Sequence, residues 1–580
     1  MRRSCLIVST LLLAACGSES PPPPAAPAAS YTPLTVDLRA PHQFNAEIRA
    51  EDLARRIARL SSDEFEGREP GTLGERLTLA YLESELTRIG FLPAVPDGNP
   101  CPAYPCAGAT FTQRVPMVSV SADPATTLQF QIGDATETLH MGTDMVVGAR
   151  AGEALVELKD NEVVFVGYGV NAPEQNWNDY AGLDVKGKTV VILVNDPGFL
   201  RKDPALFKGR AMTYYGRWTY KFEEAARQGA AAALIIHDTE PAAYGWDVVK
   251  NGWTGPQHDL PASEDPSPKV RAAGWLHLDA ARALFAASGQ DLDALRLAAD
   301  APGFKPVPLS ARLSLKLHST ISSAYSNNVV AILPGASRPE ESVLFSGHWD
   351  HLGKSEGGEG EDHIFNGAID NANGVAAALE IAEAFAGLAE RPARSVMIFL
   401  PTLEESGLLG SRYYVEHPLL PLAKLAGVVN MDALPMIGRT RDFAVSGFGQ
   451  NELQDLLATA LASQDRVVKD EPAPEKGYYF RSDHFNFANK GVPALHARAG
   501  YDQREQGEVY GRAQAEDYVA NRYHKPSDQY DPNWDYAGLV EDVQAYYAIG
   551  RKLSEVGYWP EWKQDSEFKA LREQSASERQ

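Results

Sequence analysis

From residue 328 onward the chain alternates between two hydrophobic rhythms. Short apolar runs at 329–333, 343–346, 396–400, 427–431 and 492–495 predict strands. Between and after them, apolar residues at three-to-four spacing predict helices over 374–388, 408–417, 452–463 and 537–555. Strand–helix alternation of this kind implies a sheet covered by helices on both faces. The expected fold is therefore α/β, a three-layer α/β/α domain on a central mixed sheet.

Upstream the pattern changes twice. Residues 45–91 predict helices over 52–60 and 72–90, the second carrying Leu73, Leu77, Ala80, Tyr81 and Leu86 on one spacing and Gly90 as its stop. The polar Gly/Pro connection at 61–72 is expected to approach the active site. Residues 110–307 instead show β-branched runs at 163–170, 189–194 and 232–236, with one helix over 220–228. They predict a separate, mostly-β domain. The expected division is 1–15 signal, 16–44 tether, 45–109 helical start of the main domain, 110–307 insertion, 308–562 catalytic domain and 563–580 a charged tail. That tail lacks a sustained apolar face and is expected to fray.

Composition narrows the function. Of 580 residues, 44% are hydrophobic and 23% charged, and the formal net charge is −23. Globular domains fit these values. Nucleic acid is not an expected partner, because phosphate binding needs clustered Lys and Arg. Arg2 and Arg3 precede an apolar stretch at 6–13 too short to span a bilayer. Leu13-Ala14-Ala15-Cys16-Gly17 then resembles a bacterial lipobox, against the simpler reading of a secretory signal with a chance cysteine. Acylated Cys16 would anchor the protein by lipid alone, with the Pro/Ala-rich stretch at 18–30 as a semi-rigid tether. The expected location is the bacterial cell envelope, at the outer membrane, facing the periplasm or the cell surface. Of the four cysteines, Cys101 and Cys106 are left to form a small loop disulfide. A metal-binding pair is the alternative, but no second Cys or His pair lies nearby.

The candidate chemistry is an ordered series: His348, Asp350, Asp370, Glu404, Glu405, Asp432 and His524. Catalytic zinc takes imidazole and carboxylate ligands with a position open to water. Two close zinc ions need a bridging carboxylate and about two further ligands each. His348 with Asp432 can serve one ion and Glu405 with His524 the other, with Asp370 as the bridge. His348, the Glu404–Glu405 pair and Asp432 each follow an apolar run, and strand carboxyl ends are where open α/β sheets bind ligands. Taken singly, each has a plainer explanation: a helix cap, a solvated face, a surface histidine. The ordered set does not.

The strings GHWDHLG (347–353), NGAIDNANGVA (366–376), EESGLLGS (404–411), NMD (430–432), SDHFNF (482–487) and YHKPSDQYD (523–531) resemble those of the co-catalytic di-zinc aminopeptidase family. That family includes bacterial leucyl aminopeptidases, aminopeptidase Y and the glutamate carboxypeptidases. LSSDEFEGREPGTLGE (60–75) resembles its N-terminal portion. EVVFVGYGV (162–170) and GLDVKGKTVVILVND (182–196) resemble its protease-associated domain. The resemblance implies His348, Asp370, Glu405, Asp432 and His524 as ligands of two zinc ions, with Asp370 bridging. It implies Glu404 as general base, Asp350 as the carboxylate orienting His348, and Tyr523 as a stabiliser of the tetrahedral intermediate. Asn373 stands where the family more often has Ser. The implied activity is removal of N-terminal residues from peptides with a free amine. Three alternatives remain: a carboxypeptidase, for which the sequence locates no Arg/Lys cluster; a glutaminyl cyclase with one zinc; and a non-catalytic binding relative, which would lack ligands that are all present here.

Overall fold

The apolar runs become strands of one mixed sheet in the computed structural model, which describes residues 34, 36–97, 108–355, 361–564, 566 and 568–579. The expectations for Cys16, Cys101 and Cys106 fall outside the described residues. The sheet centre is parallel, with Arg394–Leu400, Arg338–Ser346, Leu425–Asn430 and Ala494–Ala499 in that spatial order. Val307–Leu333 flanks it antiparallel on one side, Val329 opposite Leu400. Asp442–Val445 flanks it antiparallel on the other, followed by Val467–Asp470.

Side chains on a strand alternate between faces, and the core divides accordingly. Val343, Phe345, Val396, Ile398, Leu400 and Val429 join one buried cluster, while Leu344, Met397, Phe399 and Val428 join another. Because both faces are covered, these strands are apolar throughout rather than at every second position. The first face is covered by the helices Ala50–Leu60, Leu73–Ile89, Asn373–Ala386, Leu453–Ala462 and Ala537–Leu553, through residues such as Leu53, Leu86, Leu379, Leu457 and Tyr546. The second is covered through Tyr414, Val415 and Phe487 of Leu409–Glu416 and His484–Ala488. The helix Leu73–Ile89 begins with the Thr72 hydroxyl accepting from the Gly74 N–H and ends at Gly90 with φ 95, the terminators its sequence offers.

The segment before the sheet carries its own parallel strands. Leu155–Phe165, Thr189–Leu193, Ala232–His237 and Ala272–His277 lie side by side, with Met145–Ala149 antiparallel at the end. Beside these strands run helices such as Trp218–Arg227, Trp246–Trp253 and Leu278–Ala287. The long strand Val307–Leu333 ties this segment to the main sheet. It pairs in turn with Leu155–Phe165 and Thr127–Ile132, then Thr112–Ala122, and finally Arg394–Leu400.

The tail is a correction. Instead of fraying, it forms the short helix Lys569–Gln574. Phe568 and Arg572 are buried, Phe568 packs on Trp562, and the Arg572 guanidinium donates to the Leu425 carbonyl at 3.2 Å. Two apolar anchors and one arginine are too few to give a periodic signal. The upstream helices Trp246–Trp253 and Leu278–Ala287 were also not expected in a mostly-β segment, and a further unpredicted helix, Gly507–Asn521, buries only Gly511, so it has no apolar stripe to detect.

Candidate metal centre

Three strand ends and two turns converge. His348 follows Arg338–Ser346, the Glu404–Glu405 pair follows Arg394–Leu400, and Asp432 follows Leu425–Asn430. Asp370 lies in an irregular turn at the start of Asn373–Ala386, and His524 follows Gly507–Asn521 with φ 56.

His348 is 1% exposed, and its Nδ1 lies 3.1 Å from the Asp350 carbonyl. A carbonyl can only accept, so Nδ1 donates to it and Nε2 is the nitrogen left to face the site. That Nε2 is buried and makes no hydrogen bond, yet it faces Asp370 Oδ1 at 3.2 Å, Asp432 Oδ1 at 3.5 Å and Glu404 Oε2 at 3.8 Å. On the far side of Asp370, the His524 Nε2 lies 3.3 Å from its Oδ2 and 2.9 Å from Glu405 Oε2. One oxygen of Asp370 therefore faces each histidine. The donor atoms of His348, Asp370 and Asp432 lie within 4.8 Å of one another, as do those of His351, Asp370 and Glu405. An imidazole nitrogen facing carboxylate oxygens on each side of one aspartate is the donor set that fits divalent cations.

The electrostatics agree. Burial first, then the charges of Asp432 and Glu405, push the Glu404 carboxyl well above the ordinary carboxylate range, with His348 opposing. Glu405 goes the other way: against burial, His524 leads the groups that hold its carboxyl down to about 2. His524 itself is raised to about 10 by Glu405 and Asp370, which overcome its burial. Bound cations would offset the like charge crowded into this buried space.

Residues 328–548 match the model of peptidase family M28. The chain is 29% identical to mouse aminopeptidase NAALADL1 over 139 residues, 23% of this chain and 17% of that protein. It is 27% identical to carboxypeptidase Q of Xenopus laevis over 235 residues, 40% of each. The chain thus spans less than half the length of these two relatives. Among solved structures, the aminopeptidase from Aneurinibacillus sp. strain AM-1 shares the fold, with a TM-score of 0.51 and 19% identity over 88% of this chain and 96% of that one.

The site contains supports that the sequence did not assign. Asp350 holds the site in a different manner from the one expected. Its backbone carbonyl meets His348, while its carboxylate accepts the Glu404 and Glu405 N–H groups at 3.1 and 3.4 Å. The carboxylate remains 3.8 Å from His348 Nδ1. Asp528 accepts the N–H groups of Ile369 and Asp370 at 3.1 and 3.0 Å and so fixes the turn that presents Asp370. Asn371 and Asn373 donate to the Met431 and Leu434 carbonyls, binding that turn to the Asp432 loop. Asn373 thereby has a structural task of its own. Gly374 is required there, because a Cβ would meet the Met431 carbonyl oxygen at 2.3 Å.

His351 was missed entirely. Its Nδ1 lies 2.5 Å from Glu405 Oε1, leaving Oε2 to His524. The signal was the second histidine of HWDH. Arg68 was missed too, although the 61–72 connection does reach the site. Its buried guanidinium donates to the carbonyls of Leu60, Trp349, Asn366 and Gly367 at 2.6–3.0 Å, clamping the His348 and Asp370 loops together. Tyr523 stacks on His524 with ring centroids 4.0 Å apart. The upstream segment also contributes: Asn251 donates to the His524 carbonyl at 3.0 Å, and Lys525 pairs with Asp247 at 2.7 Å.

Proposed function

We propose that this protein is a zinc-dependent exopeptidase that removes N-terminal residues from peptides with a free amine. The observation that carries the reading is Asp370, with one oxygen toward His348 and the other toward His524, while Glu404 stands beside them at 3.8 Å from His348. His348 and Asp432 would hold one zinc ion, Glu405 and His524 the other, and Asp370 both. When bound, two zinc ions supply Lewis-acid polarisation of the scissile carbonyl and lower the pKa of a water toward neutrality.

The chain's own part is proton transfer and positioning. Glu404 takes the proton of the attacking water and passes it to the leaving amine nitrogen. Asp350 fixes its reach through the Glu404 N–H. The Tyr523 phenol, kept protonated by burial and by the Asp370 and Glu405 charges, can donate to the developing oxyanion. Glu404→Gln should lower kcat by about 10²–10⁴-fold, the usual worth of such a group, with zinc content unchanged by elemental analysis. Near wild-type turnover in that variant would remove the assignment. Aminoacyl substrates blocked at the amine should not be cleaved; cleavage of blocked substrates alone would exclude an aminopeptidase.

The stretch ending at Cys16 supports a further part of the proposal, a lipid-anchored envelope protein tethered through residues 18–30. No helix of the described residues is long and apolar enough to cross a membrane. Labelling with a radioactive fatty acid, lost in Cys16→Ser, is the test.

A further inference from the structure

At the edge of the sheet away from the metal-ligand cluster, three arginines crowd one tryptophan. Arg394 opens the strand Arg394–Leu400, whose far end leads to Glu404 and Glu405. Arg572 lies on the tail helix Lys569–Gln574, and Arg579 closes the turn Ala576–Arg579 after it. The guanidiniums of Arg394, Arg572 and Arg579 lie 4.2, 5.7 and 6.0 Å from the Trp559 ring. A strand of this length sets the group roughly 20 Å from the metal-ligand cluster.

Their charges are unequally answered. Arg394 Nε pairs with Glu341 at 2.7 Å, although Glu341 is shared with Arg338, and Arg579 pairs with Glu561 at 3.3 Å. Arg572 is 1% exposed and forms no ion pair with a carboxylate among the described residues. Its Nη1 donates to the Leu425 carbonyl, but its Nε and Nη2 are buried without a hydrogen bond, and so is Arg394 Nη2. Burial first, then the Arg579 charge, brings the Arg572 guanidinium down to about 9; Glu561 opposes this and Arg394 adds to it.

A buried guanidinium without a counter-charge is costly, and buried free N–H groups call for a partner. The Trp559 ring attracts the cations through its face but supplies no net charge. Three free nitrogens on two guanidiniums outnumber the two oxygens of a carboxylate. They match the three oxygens of a phosphate group, which arginine forks also hold well. Trp559 is only half-buried, so a small anion can enter beside it.

We propose that Arg394, Arg572 and Arg579 form a phosphate-binding site that locks the tail onto the amino-terminal edge of the sheet. This site stands apart from the exopeptidase reading. The phosphate has two sources, free phosphate or the phosphate of a lipid headgroup.

Amide hydrogen exchange across residues 569–579 reads occupancy here rather than at the metal centre. Zinc-loaded full-length protein would be compared in inorganic phosphate, in phosphatidylglycerol vesicles, and in sodium chloride or sodium acetate of the same ionic strength. A ligand held only by the docked tail slows exchange about tenfold at ten times its half-saturating concentration. Slowing by inorganic phosphate assigns free phosphate; slowing by the vesicles alone assigns the headgroup. In either case Arg572→Met should abolish the slowing and leave peptide hydrolysis unchanged. Arg572→Lys keeps the charge and loses the fork. It should weaken binding about tenfold, the worth of one charged hydrogen bond, and provides the same reading should Arg572→Met not fold. Exchange no slower than in chloride, equal slowing by acetate, or slowing that survives both substitutions overturns the site.

Discussion

The two histidine ends of the site are built by different means. His348 leaves a central parallel strand, is 1% exposed, and is held by the Asp350 carbonyl one turn of chain away. His524 sits in a loop after a mostly exposed helix, is 13% exposed, and is propped from outside by Asn251. The first end inherits its rigidity from the sheet; the second borrows it from the upstream segment. Preorganised ligands bind metal more tightly than ligands that must be ordered on binding. The His348 end should therefore retain metal longer when chelator is added, giving two separable steps in a zinc-release titration.

The largest effect comes from removing what both ends share. Asp370→Ala should take zinc content to near zero and abolish turnover, measured by elemental analysis and peptide hydrolysis. Retention of one ion would show that the ends are independent and that Asp370 does not bridge. Arg68→Met should be next in size. It leaves four backbone carbonyls without their donor, and loss of a buried charged network of this kind costs about 3–5 kcal/mol. Thermal unfolding would report a large fall in Tm even with metal present. A shift no larger than a surface substitution gives would mean that the loops hold without the clamp.

The comparison is sharpened by two smaller changes confined to the His524 end. Asn251→Ala removes the outside prop, and His351→Ala releases Glu405 Oε1. Each should weaken one zinc ion by about 10–100-fold, the usual effect of losing a ligand's support, and leave the other unchanged. Chelator competition would show one shifted step; two equally shifted steps would contradict the asymmetry.

Which parts of this were legible beforehand follows from how each is encoded. The central strands and the helices that cover them announced themselves because burial on both faces demands unbroken apolar runs, as at 396–400. The ligands were legible because strand ends place side chains by position, and a family resemblance ordered them. Supports working through the backbone were not. Arg68 acts on four carbonyls, Asp528 on two amides and Asn251 on one carbonyl, and any sequence supplies those partners. The helix Gly507–Asn521 and the docked tail were missed for a related reason: each is held by scattered contacts rather than by a periodic face.

The smallest effect is a pH dependence at the His524 end once metal is stripped. His524 is raised from an ordinary 6.5 to about 10, and Glu405 is lowered from 4.5 to about 2. A raised histidine adds stability that is complete below its unfolded value and disappears as pH climbs through the folded one. A depressed carboxyl adds stability that is complete above its unfolded value and disappears as pH falls through the folded one. In chelator-treated protein the pair is thus at full strength between about pH 4.5 and 6.5, weakening toward pH 10 and toward pH 2. His524→Gln should lower Tm most inside that window and progressively less at pH 8 and 9. With zinc restored, the proton on His524 must leave for the ion to bind, so the same comparison should invert: wild-type stabilisation by zinc should grow as pH rises from 5.5 to 8. A His524→Gln penalty that stayed flat across this range in metal-free protein would mean that the loop histidine carries no charge before metal arrives.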